Sequence, residues 1–433
     1  MDARMEVSKE DAARIAELRR RLPAGLLSSY FGTDFNLLRW LQGFDNDLDV
    51  VLPHLIPHLQ LRQATDLDNI LNWPKDATME LLEHHWPHLN VPPADPSTNA
   101  TVFVDFFGSS DTPGLTHALG IFEATIHRAY CYEKMLHELM KLEAASGRMA
   151  RLIYIIDLEH MPYSTEMLNM GTGPLKCLAY FMQENWVELM SEILILNCPN
   201  FWTYVWAILK PLLPENTRNK VVVLGHDWPK QIGHYVPPVN LPDIYGGSIK
   251  VGALKFPKVP RHSYWQDNGT PIGEEERRLS IAAGREGEYL IHVGPHEVLE
   301  KLTVRFLFHG ECRLRLEHRA EETAEFQLAG FDFCRLYGSP HHPNTMPIPS
   351  PRPGIYRLLI SELCTLSIDS GTNCGQRQTR YAFNKQQGRC VAFQYLGCGG
   401  NLNNFESISE CQSICSQLAI NRPGFRAKRS SGS

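Results

Sequence analysis

Six cysteines crowd into the C-terminal stretch from Cys364 to Cys415, and no other feature of the sequence constrains the fold as strongly. This density is typical of small secreted scaffolds, which rely on disulfides because their own hydrophobic cores are too small. The other five of the eleven cysteines are scattered through apolar or mixed segments, and we interpret them as reduced, buried thiols: Cys131, Cys177, Cys198, Cys312 and Cys334. One polypeptide therefore carries two redox signatures.

Length and charge limit the class of protein. The 433 residues exceed what one hydrophobic core usually serves, so we expect two or three domains. The formal net charge of −6 gives no reason to expect nucleic acid as a partner, and any lipid contact must be local. The charged amino terminus lacks the apolar core of a signal peptide, and no apolar run is long enough to span a bilayer. We therefore expect the main body to be cytoplasmic.

The first half of the chain has an α/β pattern. Four nearly continuous apolar runs predict strands of a parallel sheet that is buried on both faces: TVFVDFFG from 101, RLIYIIDLE from 151, EILILNC from 192 and KVVVLG from 220. Segments with helical spacing lie between these runs, which predicts right-handed βαβ crossovers. Two short helices, DAARIAELRRRL and DFNLLRWLQGF, precede the first strand, with Asp34 as the N-cap of the second. They predict a helical N-terminal lobe.

Motifs for catalysis are missing from this sequence. Neither GxGxxG nor GxxxxGK[ST] follows the first strand, and GxSxG does not occur, so we expect no enzyme and no cofactor. His84 and His88 could share a metal ion if they lay one helical turn apart. However, prolines interrupt the segment HHWPHLNVPP and no third ligand stands at a suitable spacing. We therefore interpret His84, His85 and His88 as surface histidines and expect no metal site.

Five separated motifs resemble those of the CRAL-TRIO family in order and spacing. They cover roughly residues 30 to 250: LLRWLQGFDNDLDV from 37, IIDLE from 155, ILILNCPNFW from 193, ILKPLLPENTRNKVVVLG from 208 and LPDIYGGSI from 241. The resemblance implies a mixed sheet covered by helices, which holds one phospholipid or other hydrophobic molecule. It also implies a mobile apolar gate helix and transient contact with a membrane, with no bond made or broken.

The segment from Phe201 is the candidate gate. Its apolar residues surround most of a short helix and include the lipid-contacting candidates Phe201, Trp202, Val205, Trp206 and Leu209. This is more apolar surface than one packing face needs, which supports the gate, and a core helix is the alternative. The family resemblance favours the gate.

The resemblance also implies a headgroup site. In phosphatidylinositol-binding members a carboxylate, a threonine and a lysine hold the headgroup, and the matching residues here are Glu188, Thr217 and Lys220. The alternative is a solvated helix end and loop. The family's basic pair is replaced by the segment 42–44, Gln-Gly-Phe, which argues against phosphoinositide specificity.

After Pro260 the pattern changes to antiparallel strands. The runs YLIHVG, KLTVRFLFHG, CRLRLEH, AEFQLAG and GIYRLLI alternate apolar with polar residues, as strands with one solvated face do. Their order is similar to that of the GOLD domain, especially in PGIYRLLI from 353. We expect a GOLD-like β-sandwich that lacks its last strands, because SELC leads directly into the cysteine cluster.

The cysteine cluster resembles the Kunitz inhibitor family. The intervals between its cysteines hold 9, 15, 7, 12 and 3 residues, and only the first is one residue longer than usual. Family residues also match: Arg380, Tyr381, Phe383, Asn384, Phe393, Tyr395, Gly397, Gly400, Asn403, Asn404 and Phe405. The resemblance implies three disulfides: Cys364 to Cys415, Cys374 to Cys398 and Cys390 to Cys411.

The protease-contact loop of this module is unusual. It comprises Cys374, Gly375, Gln376 and Arg377. In inhibitory family members the residue after the second cysteine fills the specificity pocket of a protease, and here that residue is Gly375, which has no side chain to fill it. We therefore expect a structural or interaction role. Inhibition of a serine protease with an elastase-like or tolerant pocket is the alternative.

The sequence thus predicts a multidomain protein. The predicted parts are a helical N-terminal lobe (1–75), an α/β CRAL-TRIO domain (76–255), an all-β GOLD-like sandwich (256–360), a small disulfide-rich α+β Kunitz module (361–418) and a disordered tail (419–433). Lipid binding or lipid transfer is the favoured function, and a secreted serine protease inhibitor is the alternative. A third interpretation is an artificial join of two coding regions near residue 360, because the cytosolic and oxidised parts need different compartments.

Overall fold

The computed structural model describes most of residues 6–415. Within this range, the description leaves out residues 165–166, 168–169, 171–172, 203–205, 207–209, 211–214, 226, 267–285, 295–300, 307–310, 339–340, 350, 363, 365, 385, 399–402, 410 and 413–414. Contacts divide the chain into two units, which are described separately. The first comprises Met1–Gly269, Glu300–His309 and Tyr337–Ser350, and the second comprises Thr270–Leu299, Gly310–Leu336 and Pro351–Ser433.

Four helices open the first unit. They are α1 (Lys9–Arg21), α2 (Asp34–Gly43), α3 (Leu48–Thr65) and α4 (Ala77–His85). The two helices predicted from the sequence are α1 and α2, but the predicted N-cap of α2 is wrong by one residue. Thr33 has the extended backbone that an N-cap needs, and its hydroxyl accepts a hydrogen bond from the Asn36 N–H, whereas Asp34 is already helical.

A five-stranded sheet forms the centre of this unit. Its strands are β1 (His88–Val91), β2 (Ala100–Asp105), β3 (Arg151–Asp157), β4 (Glu192–Leu196) and β5 (Val221–Val223), in that order across the sheet. The four predicted runs form β2 to β5, which are parallel, and β1 adds an antiparallel edge strand that was not predicted.

Helices connect the parallel strands, as the alternating pattern predicts. They are α5 (Thr112–Ala118), α6 (Ile121–Ser146), α7 (Pro174–Asn185) and α8 (Glu215–Lys220), and α9 (Trp228–Gln231) follows the last strand. One face of the sheet is packed with aliphatic side chains, and a C-terminal segment from Ile232 to Tyr245 covers it. Full burial of such a side chain contributes about 1.5 to 3 kcal/mol, so this face is a major source of stability.

Strands follow in the second half of the chain where the alternating runs predict them. A two-stranded sheet of β7 (Lys301–Phe306) and β10 (Asn344–Pro349) belongs to the first unit. The second unit contains the antiparallel sheet β6-β11-β8-β9, formed by Glu286–Val293, Gly354–Glu362, Glu311–Arg319 and Gln327–Tyr337. Strand β10 was not predicted, and the identification with a GOLD domain stays a prediction.

The cysteine module folds around a long hairpin of β12 (Thr372–Asn384) and β13 (Arg389–Cys398). The disulfides Cys364–Cys415 and Cys390–Cys411 are present, as two of the three implied bridges. The side chains of Cys374 and Cys398, which form the third implied bridge, lie outside the described residues. A small core of Phe383, Phe405 and three of the cysteines completes the module.

Three of the remaining cysteines are buried as predicted, and the prediction is wrong for Cys198. Cys131, Cys177 and Cys312 are buried thiols, Cys198 is half-buried, and the side chain of Cys334 lies outside the description. Among the helices that the structure describes, none combines the length and apolar character required to cross a bilayer.

Candidate functional site

The candidate headgroup residues Glu188 and Lys220 meet in the structure. Lys220 is the last residue of α8, directly before β5, and its Nζ donates a hydrogen bond to Glu188 Oε2 at 2.5 Å. The two side chains are only 22% and 23% exposed. Thr217 is half-buried and lies one helical turn before Lys220, on the same face of α8. The arrangement offers an ammonium group, a carboxylate and a hydroxyl in one place.

The end of α2 forms a border of this pair. A Cβ atom added to Gly43 would lie 2.2 Å from Val187 Cγ1 and 3.2 Å from Glu188 Cγ, so the backbone packs directly on this loop. The segment that replaces the family's basic pair is therefore next to the candidate site. Because no larger side chain fits at Gly43 without displacing Val187, position 43 cannot supply the missing positive charge.

Three of the five gate candidates lie in one aromatic cluster. Trp202 is buried against Leu158 and Ile195, near the ends of β3 and β4, with Phe201 and Trp206 packed beside it. The Trp202 and Trp206 rings stack with centroids 6.4 Å apart. Val205 and Leu209 lie outside the described residues.

The indole N–H of Trp202 is buried and has no hydrogen-bond partner among the described residues. A buried donor of this kind costs free energy unless it finds an acceptor. The cluster also has an exposed side, where the Tyr163 ring is 72% exposed and lies 4.8 Å from the Phe201 ring. Apolar and amphipathic rings at such a position suit a membrane interface.

A second apolar region lies among α4, α5, α6 and α7. It encloses a small cavity of about 30 Å³, lined almost entirely by apolar side chains that include Leu82, Trp86, Leu115, Leu119 and Leu178. A cavity of this volume holds no more than about one water molecule or methyl group, so it does not accommodate an acyl chain.

A buried polar network on the α6 side of the sheet was missed by the sequence analysis. The Asp105 carboxylate accepts hydrogen bonds from Trp86 Nε1, Arg128 Nη2 and the Tyr154 hydroxyl, each at 2.8 Å. Burial raises the pKa of Tyr154 well above its usual value, which keeps this hydroxyl protonated as a donor. Asp105 is the only charged residue in the run TVFVDFFG, and that isolation was the available signal.

The interpretation as surface residues is right for His84, which is exposed, and wrong for His85 and His88. His85 is 3% exposed, and its Nδ1 lies 2.9 Å from the carbonyl oxygen of Pro257. His88 cannot share a helix face with His84, because α4 ends at His85 and His88 begins β1. His88 instead lies beside His127 and Cys131 of α6. The contact with Pro257 spans 172 positions of sequence, so local spacing could not reveal it.

The protease-contact loop is only partly described. Cys374, Gly375 and Gln376 belong to β12, but their side chains lie outside the description, and Arg377 is exposed. In the same module, the Asn403 side-chain amide accepts a hydrogen bond from the Phe383 N–H at 2.7 Å. It also donates hydrogen bonds to the carbonyl groups of Phe383 and Leu366. This network fixes the C-terminal part of β12.

Comparisons with known proteins agree with this architecture. Residues 95–247 match the model of the CRAL/TRIO domain, and residues 363–416 match that of the Kunitz/Bovine pancreatic trypsin inhibitor domain. The chain is 24% identical over 285 residues to "CRAL-TRIO domain-containing protein F28H7.8" of Caenorhabditis elegans, which covers 65% of this chain and 69% of that protein. It is 25% identical over 260 residues to "Protein real-time" of Aedes aegypti, covering 56% of this chain and 38% of that protein.

Two solved structures are also similar to parts of the chain. "Crystal structure of Sfh5" shares 17% identity with a TM-score of 0.38, and the match covers 47% of this chain and 67% of that chain. A chain from "Pore-modulating toxins exploit inherent slow inactivation to block K+ channels" shares 38% identity with a TM-score of 0.12, covering 12% of this chain and 88% of that chain. The two family models carry the assignment of the two domains.

Proposed function

We propose that this chain, in which residues 95–247 form a CRAL/TRIO domain and residues 363–416 form a Kunitz domain, binds one phospholipid or similar hydrophobic ligand and transfers it between membranes. The observation that carries the proposal is the pairing of Glu188 with Lys220 beside an aromatic cluster. Val221, the residue after Lys220, packs into that cluster with Trp202. A polar headgroup and an acyl chain would thus be held by neighbouring residues, through binding and without catalysis.

The charge of the pair suggests which headgroup is favoured. Lys220 has three N–H donors and Glu188 uses one, so the ammonium group can also donate to a phosphate oxygen, with the Thr217 hydroxyl as a further donor. Glu188 can accept a hydrogen bond from a headgroup hydroxyl. Because Glu188 balances the charge of Lys220 and the end of α2 adds no basic residue at Gly43, the pair suits a single phosphodiester better than a multiply phosphorylated headgroup.

The aromatic cluster is proposed to act as the gate. In the closed state Phe201, Trp202 and Trp206, together with Val205 and Leu209, would cover the acyl chains, whose burial contributes about 0.8 kcal/mol per CH₂ group. At a membrane the same residues would enter the interface, with Tyr163 as the first ring to make contact. Exchange would then need no covalent step and no cofactor.

Removal of the Lys220 charge tests this proposal. Full-length protein is incubated with vesicles that contain phosphatidylcholine and phosphatidylinositol, and the retained lipid is measured by native mass spectrometry. We expect one phospholipid per native chain, and about a 10- to 100-fold weaker retention of phosphatidylinositol by Lys220→Met, because a charge-assisted hydrogen bond contributes about 1.5 to 3 kcal/mol.

The matched control is Lys230→Met, which removes an exposed lysine from α9 and should leave lipid retention unchanged. A native chain that retains no lipid would contradict the proposed function. Equal retention by the native and Lys220→Met proteins would contradict the headgroup site alone.

For the Kunitz domain we propose an interaction role, with a serine protease as the second candidate partner. Gly375 offers no side chain to a specificity pocket, so tight inhibition lacks its usual anchor. Full-length protein at micromolar concentration should not slow trypsin-like or chymotrypsin-like proteases, whereas Gly375→Arg should create inhibition of the trypsin-like class. Slowing of any protease by the native chain would instead favour the inhibitor. The disulfides of this domain indicate an oxidising or secreted setting.

A further inference from the structure

A cluster of three potential metal ligands lies between the edge strand β1 and the helix α6. It consists of His88 on β1 and of His127 and Cys131, which are one turn apart on α6 and therefore share a face. One ring nitrogen from each histidine and the cysteine sulfur all lie within 4.8 Å of one another. Within the described part of the chain, no other group of three histidine, cysteine or acidic side chains lies this close together.

The distances in the cluster are close to those of a coordinated ion. Cys131 Sγ lies 3.7 Å from His88 Nε2 and 3.8 Å from His88 Nδ1, and it lies 3.9 Å from His127 Nε2. In a tetrahedral site with metal–sulfur and metal–nitrogen bonds of about 2.3 and 2.0 Å, sulfur and nitrogen ligands are about 3.5 Å apart. Small side-chain rotations, which turn one His88 nitrogen toward the sulfur, would bring the three atoms onto one ion.

The surroundings of the cluster suit a soft ion. His127 and Cys131 are fully buried, while His88 is half-buried and stacks on the Phe103 ring with centroids 5.0 Å apart. Each imidazole has a ring nitrogen whose lone pair can be donated to a metal ion.

Hydrogen bonds among the described residues do not satisfy every polar atom of the cluster. His127 Nδ1 is buried and has no hydrogen-bond partner among the described residues. One thiol proton can serve only one of the two imidazoles that face the Cys131 sulfur. The Arg128 guanidinium, next to His127 in α6, pairs with Asp105 at 2.8 Å. A bound ion would ionise the thiol and occupy all three lone pairs.

We propose that His88, His127 and Cys131 bind a thiophilic metal ion, Zn²⁺ or Cu⁺, which fastens the edge strand β1 to α6. Thiolate and imidazole ligands favour these ions over hard cations such as Mg²⁺ and Ca²⁺. Cu⁺ would leave the three ligands and the ion with no net charge beside Arg128. Zn²⁺ would need a fourth ligand, which solvent can supply on the half-exposed side of His88. The two ions share one binding chemistry, and the experiment separates them.

The test uses full-length protein that has been stripped with a chelator. It is titrated with Zn²⁺, and separately with Cu⁺ under anaerobic conditions, in competition with a chromophoric chelator, and its thermal unfolding is followed with and without each ion. We expect one ion per chain, a rise in melting temperature, and affinity at least about tenfold lower in Cys131→Ser and His127→Asn. Cobalt substitution should add a sulfur-to-metal absorption band that Cys131→Ser removes.

The control is Cys198→Ser, which alters a half-buried thiol near Trp202 and should leave uptake unchanged. His88→Asn tests the same site from the half-exposed strand if the two buried variants fail to fold. The ion with the tighter competition constant identifies the preferred metal. Absence of saturable uptake of both ions by the native chain, or equal uptake by the folded variants, would overturn the proposal.

Discussion

Replacement of Arg62 by alanine is expected to lower the free energy of unfolding of the first unit by about 3 to 5 kcal/mol. The Arg62 guanidinium of α3 makes two parallel hydrogen bonds to the Glu133 carboxylate of α6, at 2.8 and 2.9 Å, and a third to Asp68 at 2.6 Å. Glu133 also accepts a hydrogen bond from Trp186 Nε1 at 2.8 Å. Removal of Arg62 would leave Glu133, which is 1% exposed, as a buried charge without its cation.

Tryptophan fluorescence is a selective measurement for this prediction. All eight tryptophans lie before residue 270, so denaturation curves in urea report on the first unit alone. The matched control is Arg21→Ala, which removes a surface pair with Asp49 and Glu17 and should leave the urea midpoint nearly unchanged. If Arg62→Ala and Arg21→Ala unfold at the same urea concentration, the ion pair of Arg62 with Glu133 does not hold α3 to α6.

The second large effect concerns the disulfide that closes the Kunitz domain. Replacement of both Cys364 and Cys415 by serine should destabilise this domain by about 4 kcal/mol, because the bridge closes a loop with a sequence separation of 51. The same exchange at Cys390 and Cys411, whose separation is 21, should cost about 3 kcal/mol. A domain of this size has little core to compensate for either loss.

Hydrogen exchange measured by mass spectrometry checks this prediction in the full-length protein. The amide groups of Tyr381, Phe383 and Phe405 donate hydrogen bonds of 2.7 to 2.9 Å, and they should lose protection when the bridge is removed. Tryptophan fluorescence, which reports on the first unit, serves as the internal control. Unchanged protection in the Cys364 and Cys415 double variant would show that this disulfide does not hold the domain together.

Patterns within short segments of the sequence predicted the strands that such segments determine by themselves. The parallel strands β2 to β5 come from continuous apolar runs, because strands buried on both faces have no polar side. Strand β1 consists of four residues between prolines and has no such signal. It forms because His88–Val91 pairs with β2. Strand β10, which contains two prolines, escaped prediction for the same reason.

The candidate sites differ in how much of them the sequence could reveal. The family resemblance identified Glu188, Thr217 and Lys220, and the structure then brought the first and last of these together. No resemblance or spacing pointed to the pairing of His88 with Cys131, which are 43 positions apart. Contacts of this kind depend on how α6 lies on the sheet, and that information is distributed over the whole domain.

Glu188 holds a left-handed backbone conformation with a φ of 54°. For a residue with a side chain this costs about 1 to 2 kcal/mol, whereas the half-exposed partner it gains returns no more than about 1 kcal/mol. Asparagine or glycine would tolerate the same backbone more easily. Directed evolution of this protein for heat resistance alone should therefore replace glutamate at this position, and the most stable variants would lose the carboxylate that we propose for headgroup binding.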